Sequence, residues 1–309
     1  MATATRKSFG LALAELGGRD EHIVVLDADL SKSTMSKMFA EKYPGRFFEM
    51  GIQEANMIGA AAGLALAGKK PFICSFACFI TGRYDTIRIS VAYSKAPVRI
   101  VGTHAGIGIG EDGNSQMGLE DLGLMRGLPN MNVFQPADDN ETRQIVAWMV
   151  ENNVPSYIRL TRQDVDDLNG PEYKFRYGKM VELVPGTDVT VMASGGTVCQ
   201  AVKASEILKR AGISAGVVNV PTIKPIDTES VMQYAHGTGH IITVEDHNII
   251  GGLGSAVAEV IAESGAGRLT RHGLPDVFGE SGTFADLYRK YRLDAEGIAS
   301  VVSAALAKK

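Results

Sequence analysis

Short apolar segments alternate with amphipathic segments along most of the chain. The apolar segments are rich in β-branched residues and have the length of buried strands. In the first half they predict strands at His22–Leu30, Arg46–Gly51, Pro71–Phe76, Val98–Thr103 and Ser156–Gln163, and a strand followed by a helix start within Asn132–Asp138. In the second half they predict strands at Asp188–Gly195, Ser214–Val220 and His240–His247. This alternation predicts an α/β fold with parallel sheets.

The amphipathic segments predict the intervening and closing helices, among them Ser8–Leu16, Thr197–Gly212, Thr283–Leu293 and Ala295–Lys309. Between Asp164 and Gly186 the alternation gives way to polar residues and to two Gly/Pro pairs, which are typical of a linker. A chain of 309 residues also exceeds one typical domain. We therefore expect two consecutive parallel-sheet α/β domains, residues 1–168 and 169–309.

The stretch Arg46–Phe72 joins a short predicted strand to an apolar helix rich in glycine and alanine. Glu54 stands where this helix should begin, and no other acid follows it within the stretch. A carboxyl at such a place either faces water in the first helical turn or is buried. A buried carboxyl can hold or share a proton near neutral pH. The apolar surroundings make Glu54 a candidate for this second role.

Polar side chains also follow several predicted strands, at the edge where open α/β sheets bind ligands. Asp27 and Asp29 end the first strand, although aspartate also favours turns, and the hydroxyl residues that follow can cap a helix. His104 opens a glycine-rich loop after the strand Val98–Thr103. Arg159 and Arg162 lie near the end of the last strand of the first half, where arginines beside such a loop favour phosphate binding. The loop itself carries Glu111, Asp112, Asn114, Ser115 and Gln116.

In the second half, Gly251–Val257 has the composition of a helix start that binds an anion. It lacks the remaining glycine of a dinucleotide-binding pattern, so it is weak evidence for a nucleotide. His247 and His272 have no evident chemical partners in the sequence. We expect both histidines to be structural or on the surface.

Composition narrows the class of protein. Apolar residues make up 45% of the chain, charged residues 21%, and the net charge is −4, which is ordinary for a soluble globular protein and argues against a nucleic-acid surface. Cys74, Cys78 and Cys199 are too few for a disulfide framework and suit a reducing cytoplasm. No apolar run approaches the length of a membrane span, and the first residues lack the apolar core of a signal peptide. We expect a cytoplasmic protein with no membrane or nucleic-acid partner.

Taken together, several motifs resemble the C-terminal portion of the transketolase family. They occur in the family's order and cover nearly the whole chain: ATRKSFG, LDADLSKST, EMGIQEANM, the pair Phe76 and Phe79, GTHAGIGIGEDGNSQM, LTRQ, TIKPID and VEDHNIIGGLG. The resemblance implies a pyrimidine-binding fold for thiamine diphosphate followed by a transketolase C-terminal-like domain. Two departures are Gly82, where a third aromatic residue often lies and for which Tyr84 could substitute, and Gln116, where some transketolases have histidine.

The resemblance also implies roles for individual residues. Glu54 would hydrogen-bond N1′ of the aminopyrimidine, which favours the imino tautomer that deprotonates the thiazolium C2, while the cofactor carries the carbanion chemistry. Glu54 and His104 are the catalytic candidates. The cofactor-binding candidates are Asp29, Glu54, Phe76 and Phe79. The substrate-binding candidates are His104, Asp112 and Gln116 at the sugar hydroxyls, and Arg6, Ser33 and Arg162 at the phosphate.

A complete transketolase has a further N-terminal domain that holds the diphosphate and a divalent metal through a Gly-Asp-Gly…Asn motif. This sequence contains no such motif, and Arg6 lies so near the start that we expect nothing to precede the pyrimidine-binding domain. We therefore expect a split enzyme, in which a separate N-terminal subunit carries the ligands for Mg²⁺ or Ca²⁺ and this chain carries none. Two copies of each chain would form a heterotetramer that transfers a two-carbon ketol unit between sugar phosphates, and this chain alone would be inactive.

Other interpretations remain open. The β subunit of a 2-oxo acid dehydrogenase first component has the same domain pair and length, although GEDGNSQM with TIKPID favours transketolase. Deoxyxylulose-phosphate synthase shares parts of the pattern but is normally one longer chain. Some split transketolase-like proteins act on other ketose phosphates. A non-catalytic α/β binding module is the alternative from another class, since a fold does not prove a function.

Overall fold

The first sheet is built from the apolar segments of the first half. In the computed structural model, which describes residues 2–307, the elements of this half follow in the order β1 Thr3–Ala4, α1 Thr5–Leu16, β2 Ile23–Asp27, α2 Ser31–Thr34, α3 Lys37–Lys42, β3 Phe47–Glu49, α4 Glu54–Leu66, β4 Lys70–Phe76, α5 Ala77–Thr81, α6 Tyr84–Thr86, β5 Arg99–Thr103, α7 Asp121–Arg126, β6 Asn132–Phe134, α8 Asp139–Glu151, β7 Ser156–Arg159 and β8 Asp164–Val165. A π-helical segment spans Ile87–Tyr93, and short 3₁₀ segments span Pro44–Arg46, Ile107–Asp112 and Asn114–Gln116.

The second half repeats the pattern with a smaller sheet. Its elements are β9 Val181–Val184, β10 Val189–Ala193, α9 Thr197–Arg210, β11 Ala215–Asn219, β12 Thr222–Lys224, α10 Thr228–Gly237, β13 His240–Asn248, α11 Leu253–Ser264, β14 Arg268–Leu274, α12 Phe284–Lys290 and α13 Ala295–Ala307. The last two residues of the predicted helix Ala295–Lys309 lie outside the described residues.

Both main sheets are parallel except at one edge. The first has the strand order β12-β6-β7-β5-β4-β2-β3, and only β12 runs antiparallel to its neighbour. The second has the order β14-β13-β10-β11-β9, with β9 antiparallel. Every residue of the inner strands β2, β5, β7, β10 and β11 is buried, because helices cover both faces of a parallel sheet. The predicted α/β class with two consecutive parallel-sheet units is confirmed.

The two halves are joined by more than a linker. Strand β12 belongs to the second half by sequence, yet Thr222 pairs with Phe134 of the first sheet. The Lys224 ammonium then donates to the carbonyls of Arg126 at 2.9 Å and Leu128 at 2.5 Å. One apolar cluster also contains residues of both halves, including Met57, Ile58, Val218 and Leu253. The proposed division between residues 168 and 169 stays a prediction.

Several predicted strands end earlier in the structure than in the sequence pattern. The strand predicted at His22–Leu30 ends at Asp27, and the one predicted at Ser156–Gln163 ends at Arg159. In each case the remaining residues leave the sheet at its carboxyl edge and enter a loop. The polar groups of the candidate site lie on these loops. Within residues 2–307 no helix is both long enough and apolar enough to span a bilayer.

Candidate active site

Glu54 is the first residue of α4, and only 4% of its surface is exposed. The Ser75 hydroxyl, near the end of the neighbouring strand β4, donates to Glu54 Oε1 at 3.4 Å. Among the described residues, Glu54 Oε2 accepts no hydrogen bond. The Glu54 carboxyl is therefore buried and does not face water, which were the two alternatives that the sequence allowed. It retains one oxygen that can accept a hydrogen bond from a ligand.

Three rings pack together at the carboxyl end of β4, the strand that carries Ser75. Phe76 ends β4, and its ring lies 5.5 Å from that of Phe79 with an interplanar angle of 14°. The His104 imidazole stacks on Phe76 with 3.8 Å between ring centroids. Phe76 is buried, whereas Phe79 is partly exposed, so Phe79 offers the more accessible ring face to a ligand.

His104 sits directly after β5 in the left-handed region, with φ 56°. The guanidinium of Arg6 lies 3.0 Å from His104 Nε2, and the Thr103 hydroxyl lies 2.8 Å from His104 Nδ1. Because a guanidinium can only donate, Nε2 is the accepting nitrogen and Nδ1 carries the proton. Thr103 Oγ1 in turn donates to the Ser75 carbonyl at 3.4 Å. These contacts fix both the orientation and the tautomer of the imidazole.

Arg6 and Arg162 line a cavity of about 410 Å³ at the carboxyl edge of the first sheet, together with Gly108, Ile109, Gly110, Glu111, Gln163, Asp164 and Phe284. Arg6 also donates to the Ser33 carbonyl at 2.7 Å, which brings α2 to the same place. Arg162 donates to the Ile109 carbonyl and lies 3.5 Å from a carboxylate oxygen of Glu111. The structure thus brings together four predicted residues: Arg6, Ser33, His104 and Arg162.

The electrostatics of this group favour an anion. Burial, with the nearby charges of Arg6 and Arg162, lowers the pKa of His104 to about 3, so its imidazole is neutral. Burial and the charge of Arg162 also lower the pKa of Arg6. Two guanidinium groups therefore share a cavity beside an uncharged histidine, and Glu111 and Asp164 in the same lining offset part of their charge. The arginine donors can bind an anionic group of a ligand in this cavity.

The two aspartates after β2 have different environments. Asp27 is fully buried and accepts from the hydroxyls of Thr34 at 2.7 Å and Ser36 at 2.8 Å, and burial raises its pKa to about 6. Asp27 therefore stabilises the turn that follows β2, which is the alternative to ligand binding that the sequence offered for this residue. Asp29 is exposed, has φ 63°, and its backbone N–H donates to Glu49 at 2.7 Å. The Asp29 carboxylate is accessible to a ligand.

Asp112 and Gln116 lie on the ligand loop, which we define as residues 105–118. Asp112 is exposed and Gln116 is partly exposed. Within residues 2–307 neither side chain forms a hydrogen bond, so the structure does not join them to the group around His104. Their predicted contacts with the sugar hydroxyls stay predictions.

Arg159 does not join Arg162 in the anion cavity. It is fully buried, and its Nε donates to the Asp121 carboxylate at 2.9 Å. A guanidinium nitrogen of Arg159 also donates to the carbonyls of Gly118 and Asp246. Sequence reasoning missed this buried network. The feature of the sequence that could have indicated this network is the run Glu245-Asp246-His247, which places three polar residues inside a buried strand.

The other polar candidates are structural. His247 is fully buried, with Nδ1 2.6 Å from the Asn248 carbonyl, and His272 Nε2 lies 2.7 Å from the Arg292 carbonyl. Cys74 and Cys199 are buried free thiols, and Cys78 is partly exposed. Among residues 2–307, no group of three or more His, Cys, Asp or Glu side chains is placed to hold a metal ion.

The fold defines a class of α/β chain in which a unit with a seven-stranded sheet precedes a smaller unit with a five-stranded sheet. Comparison with family models agrees: residues 1–167 match the pyrimidine binding domain of transketolase, and residues 178–298 match the transketolase C-terminal domain. The chain therefore belongs to the transketolase family.

Individual relatives are of similar length to this chain. It is 49% identical to a putative transketolase C-terminal section of Methanocaldococcus jannaschii, over 95% of this chain and 93% of that protein. It is 41% identical to a 6-deoxy-6-sulfo-D-fructose transketolase subunit of Clostridium sp. (strain MSTE9), over 93% of this chain and 89% of the relative. A solved structure described as a split gene transketolase, inactive beta4 tetramer, superposes with a TM-score of 0.90 at 44% identity and covers 99% of both chains.

Proposed function

We propose that this chain is the C-terminal subunit of a split, thiamine-diphosphate-dependent transketolase. With a separate N-terminal subunit it would transfer a two-carbon ketol unit from a ketose phosphate to an aldose phosphate. The observation that carries the proposal is the buried Glu54, whose Oε2 accepts no hydrogen bond among the described residues and which lies at the same sheet edge as the anion cavity of Arg6 and Arg162. The similarity to a transketolase C-terminal section supports the split arrangement.

The residues present fit thiamine diphosphate, the cofactor typical of this family. Glu54 would hold the aminopyrimidine through its unoccupied oxygen, and Phe79 would lie against the ring. Asp29 is accessible at the adjacent loop. When bound, the cofactor supplies the electron sink for cleaving and forming a carbon–carbon bond next to a carbonyl.

The chain's own residues then have separate tasks. Glu54 holds or shares a proton at the ring nitrogen, and its burial keeps water away from that proton. Arg6 and Arg162 bind the terminal anion of the sugar. His104 is neutral, and Arg6 and Thr103 already pair with its two ring nitrogens, so it would hydrogen-bond the sugar hydroxyls by exchanging one of these contacts.

The partner subunit would carry the diphosphate and the divalent metal. A pair of each chain would complete the active sites in a heterotetramer. The similar solved structure is described as an inactive beta4 tetramer of a split gene transketolase, which supports a need for the partner. The cytoplasmic location expected from the sequence stays a prediction.

The terminal anion of the substrate has a second candidate. Similarity to a 6-deoxy-6-sulfo-D-fructose transketolase subunit favours a sulfonate as the alternative to a phosphate. Arginines bind either group, since both present oxygen acceptors in a similar arrangement. Turnover of the assembled enzyme with a ketose phosphate and with a sulfonated ketose distinguishes the two.

The proposed function is tested by Glu54→Gln in the enzyme assembled with its N-terminal subunit, thiamine diphosphate and Mg²⁺. The amide cannot take up the ring proton, so we expect turnover to fall by a factor of about 10²–10⁴. Assembly, measured by light scattering, should be unchanged. Glu41→Gln makes the same change at an exposed acid and should leave turnover intact. Full turnover in Glu54→Gln would remove the assigned role of this carboxyl.

A further inference from the structure

The ligand loop is held by residues of the second half at its start and at its tip. At the start, the Ile107 N–H donates to Asp246 Oδ1 at 2.8 Å. At the tip, the Gly279 N–H donates to the Asn114 side-chain oxygen at 2.8 Å. The two ends of the loop are joined to each other, because the Gly106 N–H donates to the Gly118 carbonyl at 2.8 Å. The conformation of the loop therefore depends on the C-terminal unit.

Asp246 occupies the centre of this arrangement. Its side chain is buried, and its second oxygen accepts from the Tyr288 hydroxyl at 3.0 Å. One guanidinium nitrogen of Arg159 donates both to the Asp246 carbonyl at 2.8 Å and to the Gly118 carbonyl at 2.9 Å. Asp246 is thus connected to the start of the loop directly and to its end through Arg159.

The loop sequence is shaped to accept this carboxylate. Gly106 has φ +79°, and a Cβ added there would lie 2.2 Å from Asp246 Oδ2. Any larger residue would push the carboxylate away, and a non-glycine residue would also be strained at this φ. The approach of the loop backbone to Asp246 therefore requires glycine at position 106.

We propose that Asp246 is a positioning residue for substrate binding: it holds the ligand loop in the conformation that presents Asp112 and Gln116 to the sugar. This inference rests on the proposed function. The C-terminal unit would then contribute to substrate affinity without touching the substrate. Asp246 is buried near the carboxyl end of β13 in the second sheet. Its contribution would therefore reach the substrate through its hydrogen bond to the backbone of the ligand loop.

Asp246→Ala removes both acceptors and tests the proposal directly. We expect hydrogen exchange of residues 105–118 to become about ten-fold faster, because a buried N–H loses its partner. In the enzyme assembled with its N-terminal subunit, the KM for the sugar phosphate should rise about ten-fold with kcat changed less, while thiamine diphosphate affinity stays within about two-fold. Asp246→Asn keeps an oxygen for the Ile107 N–H and should restore both readouts.

Two further variants separate positioning from general destabilisation. Thr243→Val lies on the same strand, is buried and does not contact the loop, so it should leave exchange and KM unchanged. Gly106→Ala disturbs the same contact from the loop side and should accelerate exchange in the same residues. It also replaces Asp246→Ala as the test if that variant does not fold.

Unchanged exchange of residues 105–118 in Asp246→Ala or Gly106→Ala would overturn the proposal. A fall in kcat at unchanged KM would also overturn it. Hydrogen exchange is measured on the chain whatever reaction it supports. Faster exchange in a protein that shows no transketolase turnover would therefore contradict the proposed function and leave the role of Asp246 in loop conformation standing.

Discussion

The carboxyl edges of the two sheets each have a carboxyl group beside a helix start, and they differ in how that carboxyl group is paired. In the first, α4 begins with Glu54, whose Oε2 accepts no hydrogen bond within residues 2–307, and two arginines line an open cavity. In the second, α11 begins at Leu253, and the N–H groups of Leu253 and Gly254 donate to the Glu245 carboxylate at 2.7 and 2.8 Å. The first edge leaves a carboxyl oxygen for a ligand, while at the second edge the helix start is paired with an internal carboxyl group.

This difference corrects the anion-binding interpretation of Gly251–Val257. The N–H groups of this helix start do bind a carboxyl group, but it is that of the protein's own Glu245. Gly252 makes the approach possible, since a Cβ there would lie 1.9 Å from Glu245 Oε2. A glycine-rich helix start therefore indicates a ligand only when no internal carboxylate can reach it.

The largest effect is expected from removing the two arginine charges that line the cavity of the first edge. Replacing both Arg6 and Arg162 with glutamine should raise the KM for a sugar phosphate about 100-fold or more, because each hydrogen bond between charged groups contributes about 1.5–3 kcal/mol. Steady-state kinetics of the assembled enzyme measures this. Arg210→Gln, at an exposed arginine of α9, is the matched control and should not change KM. An unchanged KM in the double variant would show that the anion binds elsewhere.

At the second edge the expected effect is on stability instead. Glu245→Ala leaves two buried N–H groups without an acceptor and should lower the free energy of unfolding by about 2–5 kcal/mol. Glu245→Gln retains one acceptor oxygen and should cost less. Chemical denaturation of the full chain measures both. If the free energy of unfolding of Glu245→Ala fell by no more than about 0.5 kcal/mol, the hydrogen bonds from the helix start to Glu245 would not stabilise the fold.

A smaller effect is expected in the pH dependence of stability. Burial raises the pKa of Glu245 to about 7, so the folded state holds this proton more strongly than the unfolded state does. Its contribution is therefore fully present below about pH 4.5 and is lost as the pH rises through 7. Glu141, whose pKa burial also raises to about 7, gives a slope of the same sign. Between about pH 4.5 and 7 the free energy of unfolding of the wild type should fall more than that of Glu245→Gln. An equal pH dependence in the two proteins would contradict a raised pKa for Glu245.

The sequence predicted the first edge better than the second for a physical reason. Glu54, His104 and Arg162 each follow a local pattern in which an apolar segment ends in a polar group, and parallel strands bring such ends together. The hydrogen bond from Ile107 to Asp246 joins residues 139 positions apart and depends on how the two halves pack. No local pattern contains that information. The edge strands β9, β12 and β14 were missed because they carry polar residues and lack the continuous apolar run of the inner strands.

The smallest expected effect concerns the charge of His104, which is set by the first edge as a whole. Its pKa of about 3 follows from burial first, then from Arg6 and Arg162. NMR of the imidazole nitrogens should therefore show no titration of His104 between pH 5 and 8. Because its folded pKa is below the unfolded value near 6.5, its effect on stability is seen only as the pH falls from about 6.5 to 3.

Arg6→Gln sharpens this test. Removing one positive charge should raise the His104 pKa, but only partly, since burial is the larger cause and remains. The Arg210→Gln control should leave it unchanged. Titration of His104 near pH 6.5 in the wild type would show that the imidazole is hydrated and that the edge is more open than the structure shows. A neutral His104 offers no imidazolium proton near neutral pH, so any part it takes in the reaction would be that of a neutral imidazole.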